Sequence, residues 1–194
     1  NSAFSEVWSF YPSSNSDECD RYVIYNYQQK IWYFGNLART VWLDRGIENL
    51  PIAASTDHYL YFHETGFDDG STDPVTAISA HIESSQIDVG DGEQFTFINR
   101  AIPDITFRDS TAEAPKAVFT VKTRNYPGGA YLQTEDKNVT RSAAATSSVV
   151  EQFTDQVNLR LRGRAFALKI ASTDTGVAWR LGSPRLDVRT DGRR

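Results

Sequence analysis

Methionine is absent from the 194 residues and cysteine occurs once, as Cys19. A lone cysteine excludes an internal disulfide, and with every histidine far along the chain it makes a poor start for a zinc site or a thiol nucleophile. Cys19 therefore reads as a plain structural residue. The lack of methionine, initiator included, is expected of a processed product or of a piece of something longer. No apolar run approaches the roughly 18 residues of a membrane-crossing helix, and the N-terminus has no basic segment leading into an apolar one. The sequence thus reads as soluble, without a signal peptide or membrane anchor. Histidine is scarce too: His58, His63 and His81 are the only three, and no two stand four apart with a glutamate between them, so a zincin-type site has no basis.

Positive charge is thin in the first part of the chain. Residues 1–75 hold 4 Lys plus Arg against 11 Asp plus Glu, a net of −7, while residues 76–194 hold 16 against 14, a net of +2; the two add to the −5 of the whole. Tight non-specific binding of nucleic acid needs concentrated cations to displace counterions. An acidic wall repels DNA instead.

What the chain has in quantity is extended, aromatic sequence. Hydrophobic residues make up 40%, enough for a real core. Residues 5–43 carry Trp8, Phe10, Tyr11, Tyr22, Tyr25, Tyr27, Trp32, Tyr33, Phe34 and Trp42. Arg21 to Asn26 and Ile31 to Gly35 read as two strands around a turn at Tyr27 to Lys30, and further turns near residues 44–46 and 54–57 precede a strand at Tyr59 to His63. Such short strands, turns and strand-end tryptophans suit the four-stranded blade of a β-propeller, with at most one or two such units in this chain. The rest of a ring would come from other sequence or another chain. Glu64 to Pro74 is polar, glycine-rich and acidic, and reads as a loop or domain boundary.

Beyond it, residues 77–82, 95–98, 105–107 and 116–123 are extended, with Phe119 and Val121 on one face. Asn125 to Gly129 reads as a type II turn with Pro127 and Gly128 in its centre, and residues 134–149, rich in Ser, Thr and Ala, as a flexible connection or extended arm. The clearest strand is Val157 to Gly163, where Val157, Leu159 and Leu161 alternate with Asn158, Arg160 and Arg162. After Gly163 the apolar positions change phase to Phe166, Leu168 and Ile170, which requires a bulge or turn at Gly163 and Arg164. A third strand carries Trp179 and Leu181, and Leu186 and Val188 follow the break at Gly182 to Pro184. The expected fold class is all-β: a propeller-blade-like part over residues 1–75, then a β-sandwich or jelly-roll-like module over residues 76–194.

No residue stands out as catalytic, cofactor-binding or metal-binding. Asp68, Asp69 and Asp73 have the oxygen ligands and glycines of a calcium loop but not the EF-hand spacing, and read as a solvated acidic loop. Pairs of Asp and Glu suited to glycoside hydrolysis abound in any acidic chain, and only a separation across a cleft would distinguish one. Arg160, Arg162 and Arg164, with Arg180, Arg185 and Arg189 in the following strands, form a guanidinium-rich end of the chain. They suit carboxylates of this or a neighbouring subunit, water, or phosphates.

Ser172-x-Asp174-x-Gly176-x-x-Trp179 matches the Asp-box consensus of sialidase-like propellers and other β-folds, a motif that stabilises a turn and is not catalytic. A larger part of the chain resembles tail structural proteins of double-stranded DNA bacteriophages. The resemblance runs from Glu6-Val-Trp-Ser-Phe-Tyr-Pro12 through Arg21 to Asn26, Trp32-Tyr-Phe-Gly35 and Leu37-Ala-Arg-Thr40. It continues through Ile82-Glu-Ser-Ser, Ile87-Asp-Val-Gly-Asp-Gly92, Ile102-Pro-Asp104, Lys122 to Gly129, Arg160-Leu-Arg-Gly-Arg164 and Gly176 to Gly182. It is similar to the C-terminal portion of a tail hub or nozzle, whose subunits are usually several times longer.

The resemblance implies a structural, non-enzymatic virion protein without cofactors. Its copies would form a cyclic ring, a hexamer in that family, around the channel through which DNA is ejected. The ring would dock neighbouring tail proteins and let DNA pass without specific binding. Trp8 and Trp42, as exposed aromatics, and Arg160, Arg162, Arg164 and Arg185 are the interface candidates. Two other classes compete: a carbohydrate-binding β-sandwich that stacks sugars on Tyr126 and Tyr131, and a receptor-degrading glycosidase.

Overall fold

A computed structural model describes residues 1–90, 92–126 and 143–192. The protein is all-β, built from several antiparallel sheets with no α-helix among the described residues. The chain divides into two compact units, Asn1–Gly66 and Phe67–Arg194, and the division falls inside the acidic segment 64–74.

The first unit opens with a single 3-10 turn, Ser2–Phe4, and continues through β1 (Glu6–Tyr11), β2 (Arg21–Asn26) and β3 (Ile31–Asn36) as one antiparallel meander. β4 (Val41–Leu43), β5 (Ile52–Ala54) and β6 (Leu60–Phe62) form a second. Aromatic and β-branched residues favour these strands because their side chains pack well on a pleated surface. The turn between β2 and β3 is held by Asn26, a short amide that bonds backbone groups close to it in sequence. Its buried side chain accepts from the N–H groups of Gln28 (3.1 Å) and Gln29 (2.8 Å) and donates to the Phe4 carbonyl (2.9 Å). Gly35, opposite Tyr22, leaves room for the phenol ring to lie across the neighbouring strand.

In the second unit β7 (Asp68–Asp69), inside the segment 64–74 expected to be a loop or domain boundary, pairs with β8 (Thr76–Ala77) just beyond it as a minimal hairpin. β9 (Ala80–Glu83), β10 (Ile87–Asp88), β11 (Thr96–Ile102), β12 (Ile105–Thr106), β13 (Lys116–Arg124), β14 (Ala143–Glu151), β15 (Val157–Gly163), β16 (Ala165–Ser172), β17 (Arg180–Leu181) and β18 (Arg185–Thr190) complete it. A five-stranded sheet runs β10-β16-β13-β14, with β9 also on β16, and a three-stranded sheet runs β15-β11-β18. One hydrophobic core takes side chains from both: Phe119 and Val121 of β13, Leu168 and Ile170 of β16, Leu159 and Leu161 of β15, Ile98 of β11.

The alternation from Val157 onward is realised, with Val157, Leu159 and Leu161 buried and the intervening residues exposed. The phase change at Gly163 has a larger cause than a bulge. β15 and β16 belong to different sheets, and the chain passes between them at Arg164, whose N–H donates to the Arg124 carbonyl (3.0 Å). Only glycine fits at position 163, because a Cβ there would lie 2.6 Å from Thr123 Cβ.

Residues 143–149, expected to belong to a flexible connection or arm, are instead the greater part of β14, paired along its whole length with β13 from Lys116↔Glu151 to Arg124↔Ala143. Cross-strand hydrogen bonding supplies an order that small, weakly patterned residues do not encode locally. The expected turn at Pro127 and Gly128, the rest of that connection and Tyr131 lie outside the described residues.

Candidate functional site

Three places gather the residues singled out by the sequence. The first is the aromatic interior of the first unit. Because side chains alternate along a strand, Trp8, Phe10, Tyr22 and Ile24 share the inner face of the β1-β2-β3 sheet, and Trp42, Ala53 and Tyr61 share the inner face of the β4-β5-β6 sheet. Trp8 and Trp42 stack across the gap with centroids 4.9 Å apart, and Trp8 also stacks on Tyr22 at 5.0 Å. Both tryptophans are half-buried, so the expectation that they are exposed is corrected: each spends a ring face on the other. The Tyr22 phenol is pushed up from its ordinary pKa by burial and by Glu6.

Within each sheet the most exposed apolar side chains are on the other face. In the β4-β5-β6 sheet the rows Val41↔Ala54↔Leu60 and Leu43↔Ile52↔Phe62 face outward, and Val41, Leu43, Leu60 and Phe62 are 54–73% exposed. In the β1-β2-β3 sheet the rows Val7↔Tyr25↔Trp32 and Ser9↔Val23↔Phe34 face outward, with Val7, Trp32 and Phe34 56–75% exposed. Apolar side chains thus occupy both faces of each sheet. Sequence reasoning missed these residues, since alternation between two apolar sets does not say which set is covered.

The arginine-rich end of the second unit is the second place. Arg160 and Arg162 are exposed on β15 as expected. Arg162 pairs with Asp191, donating from Nε to the carboxylate and from Nη2 to the Asp191 carbonyl (3.1 Å). Its guanidinium also lies 3.9 Å from the centroid of Phe95, and that of Arg164 4.9 Å from the same ring, as cation–π contacts. Arg180 bonds Asp109 at 2.9 Å, and Asp187 lies 3.4 Å from Arg100 and 4.0 Å from Arg189. Arg185 lines an open depression with Arg100, Ile102, Leu186 and Asp187. The structure thus places Arg162, Arg164, Arg180 and Arg189 against local carboxylates or an aromatic ring.

The third is the Ser172–Trp179 turn. Trp179 Nε1 donates to Ser172 Oγ (2.9 Å), so the first and last residues of the motif meet. Gly176 takes a left-handed φ of 70°, and a Cβ there would meet Thr111 Oγ1 at 2.6 Å. Its N–H is held between both carboxylate oxygens of Asp68 (2.8 and 2.9 Å) and its carbonyl accepts from Thr111 and Ala112 (2.9 and 3.0 Å). Asp174 is an exposed ion-pair partner of Lys116 at 3.7 Å. Asp68 is therefore a structural acceptor for a turn far away in sequence, while Asp69 accepts from the Ser71 N–H (3.0 Å).

Among the described residues no group of three or more His, Cys, Asp and Glu is placed to hold a metal ion, and no helix is long and apolar enough to cross a membrane. His63 packs on Trp42 (4.7 Å) and accepts from Arg39 Nε (3.0 Å). Tyr126 is exposed. No protein-family model matches this chain, and no curated protein does.

Proposed function

We propose that this protein is a structural component of a bacteriophage tail, part of the nozzle or hub ring around the DNA ejection channel, where it contacts other copies of itself and neighbouring tail proteins. In this reading the two meanders of the first unit, each three-stranded where the expected blade has four, are adjacent propeller blades and the second unit is a β-sandwich or jelly-roll-like module. The observation that carries it is the pair of apolar outer faces in the first unit. A blade within a ring is covered on both sides, whereas a solvated domain keeps such surface small. The second unit gives support of another kind, with one core shared by two sheets and Arg162 and Arg180 paired with local carboxylates.

The acidic balance of residues 1–75 suits a wall past which DNA slides, because phosphates are repelled and not held. The site of action is then the virion tail, after synthesis in the host cytoplasm. Mass spectrometry of purified particles, with gold-labelled antibodies raised against this chain, tests the reading. Peptides of this chain in the particles and label at the tail are expected. A particle preparation free of the chain overturns the proposal.

A further inference from the structure

We propose that the two outer faces of the first unit bind each other between copies of this chain, head to tail, the β4-β5-β6 face of one copy on the β1-β2-β3 face of the next. The inference rests on the scaffold reading above and specifies its partner as a second copy of this chain.

Within one copy the inner faces of the two sheets are already packed through Trp8 and Trp42. The outer faces consequently point in opposite directions, and neither can cover the other in the same molecule. They are also unlike in shape: Trp32 and Phe34, beside Val7, put large rings on one, while the other is mainly branched aliphatic, Val41, Leu43 and Leu60, with Phe62 as its one large ring. Rings entering between branched aliphatic chains fill the gaps that such a surface leaves. Joining them between copies continues the order of sheets found inside each copy, so the contact extends a stack already present. The two faces together offer on the order of 1,000 Å² of apolar side chain, the lower edge of what a specific interface buries. A contact between two different surfaces repeats from copy to copy until curvature closes it.

Sedimentation velocity on the 194-residue chain, with Phe34→Lys and Leu60→Lys variants, tests this. Both residues are exposed, and circular dichroism checks that each variant keeps its strands. The unmodified chain is expected to form species larger than a dimer as concentration rises, and each single variant to be monomeric over that range. An equimolar mixture of the two variants retains one intact pair of faces and is expected to give a dimer that grows no further. A wild-type chain that stays monomeric, a variant that assembles by itself, or a mixture that stays monomeric overturns the head-to-tail contact. Presence of the chain in the tail is read separately by labelling particles, so either proposal can fail without the other.

Discussion

Trp8 and Trp42 lie with their rings 4.9 Å apart and inclined by 22°, one from each meander of the first unit. Their indole N–H groups fare differently. Trp8 Nε1 donates to Glu6 Oε2 at 2.9 Å, whereas Trp42 Nε1 is buried with no partner among the described residues. Removing a satisfied donor loses a hydrogen bond, and removing an unsatisfied one relieves a desolvation cost. Trp8→Phe is therefore expected to destabilise the first unit by about 1 kcal/mol more than Trp42→Phe, as read by urea denaturation. Equal losses would mean that the Glu6 contact contributes nothing.

Truncation of either ring removes the packing itself. Trp42→Ala is expected to cost about 2–4 kcal/mol, less than a fully buried tryptophan because the site is half-open. A double-mutant cycle with Trp8→Ala should return a coupling of about 1 kcal/mol. Additive losses would show that the stack is only proximity.

The Ser172–Trp179 turn predicts a second contrast. Ser172→Ala leaves the indole N–H of Trp179 without its acceptor and is expected to cost about 1–2 kcal/mol, while Ser172→Thr keeps the hydroxyl and costs less. Asp68→Ala should be of similar size to Ser172→Ala, since it strips both acceptors from the Gly176 N–H. Thermal unfolding of the second unit reads all three. A silent Asp68→Ala would remove the link between Asp68 and the turn.

Acid should act on the first unit through Asp44. The backbone N–H of Arg45 (2.8 Å) and then that of Ser2 (2.9 Å) bond its carboxylate and lower its pKa from 3.8 to about 2. The folded state favours the ionised form, so this contribution is complete above 3.8 and is lost as pH falls from there toward about 2. Nuclear magnetic resonance titration of the Asp44 carboxyl should find the depressed value. The Asp44→Asn variant should lose the pH dependence of Ser2–Phe4 docking in that window, and an unshifted carboxyl would contradict the geometry.

How far the sequence discloses this structure depends on what each residue's neighbours are. Val157 to Gly163 can be read from its own alternation because one face is core and the other water. The β2–β3 hairpin is legible for another reason, its β-branched and aromatic runs on either side of the turn at residues 27–30, which Asn26 holds through the N–H groups of Gln28 and Gln29. Ala143 to Glu151 is not legible: its order comes from β13, some twenty residues back in the chain, and not from its own pattern. The outward faces of Leu60 and Phe34 escape detection because both sides of their sheets are apolar, so alternation has nothing to contrast. Arg162 could be assigned to a polar face from sequence, but its pairing with Asp191 depends on two strands that meet only through β11.

The crossing at Gly163 and Arg164 sets how the second unit would bear a mechanical load. One residue separates a strand of the three-stranded layer from a strand of the five-stranded layer. Tension along the polypeptide at that corner reaches both layers through covalent bonds, with almost no slack to take up. Shearing one layer past the other would have to tear β15 from β11 or β16 from β13 before the join could give way.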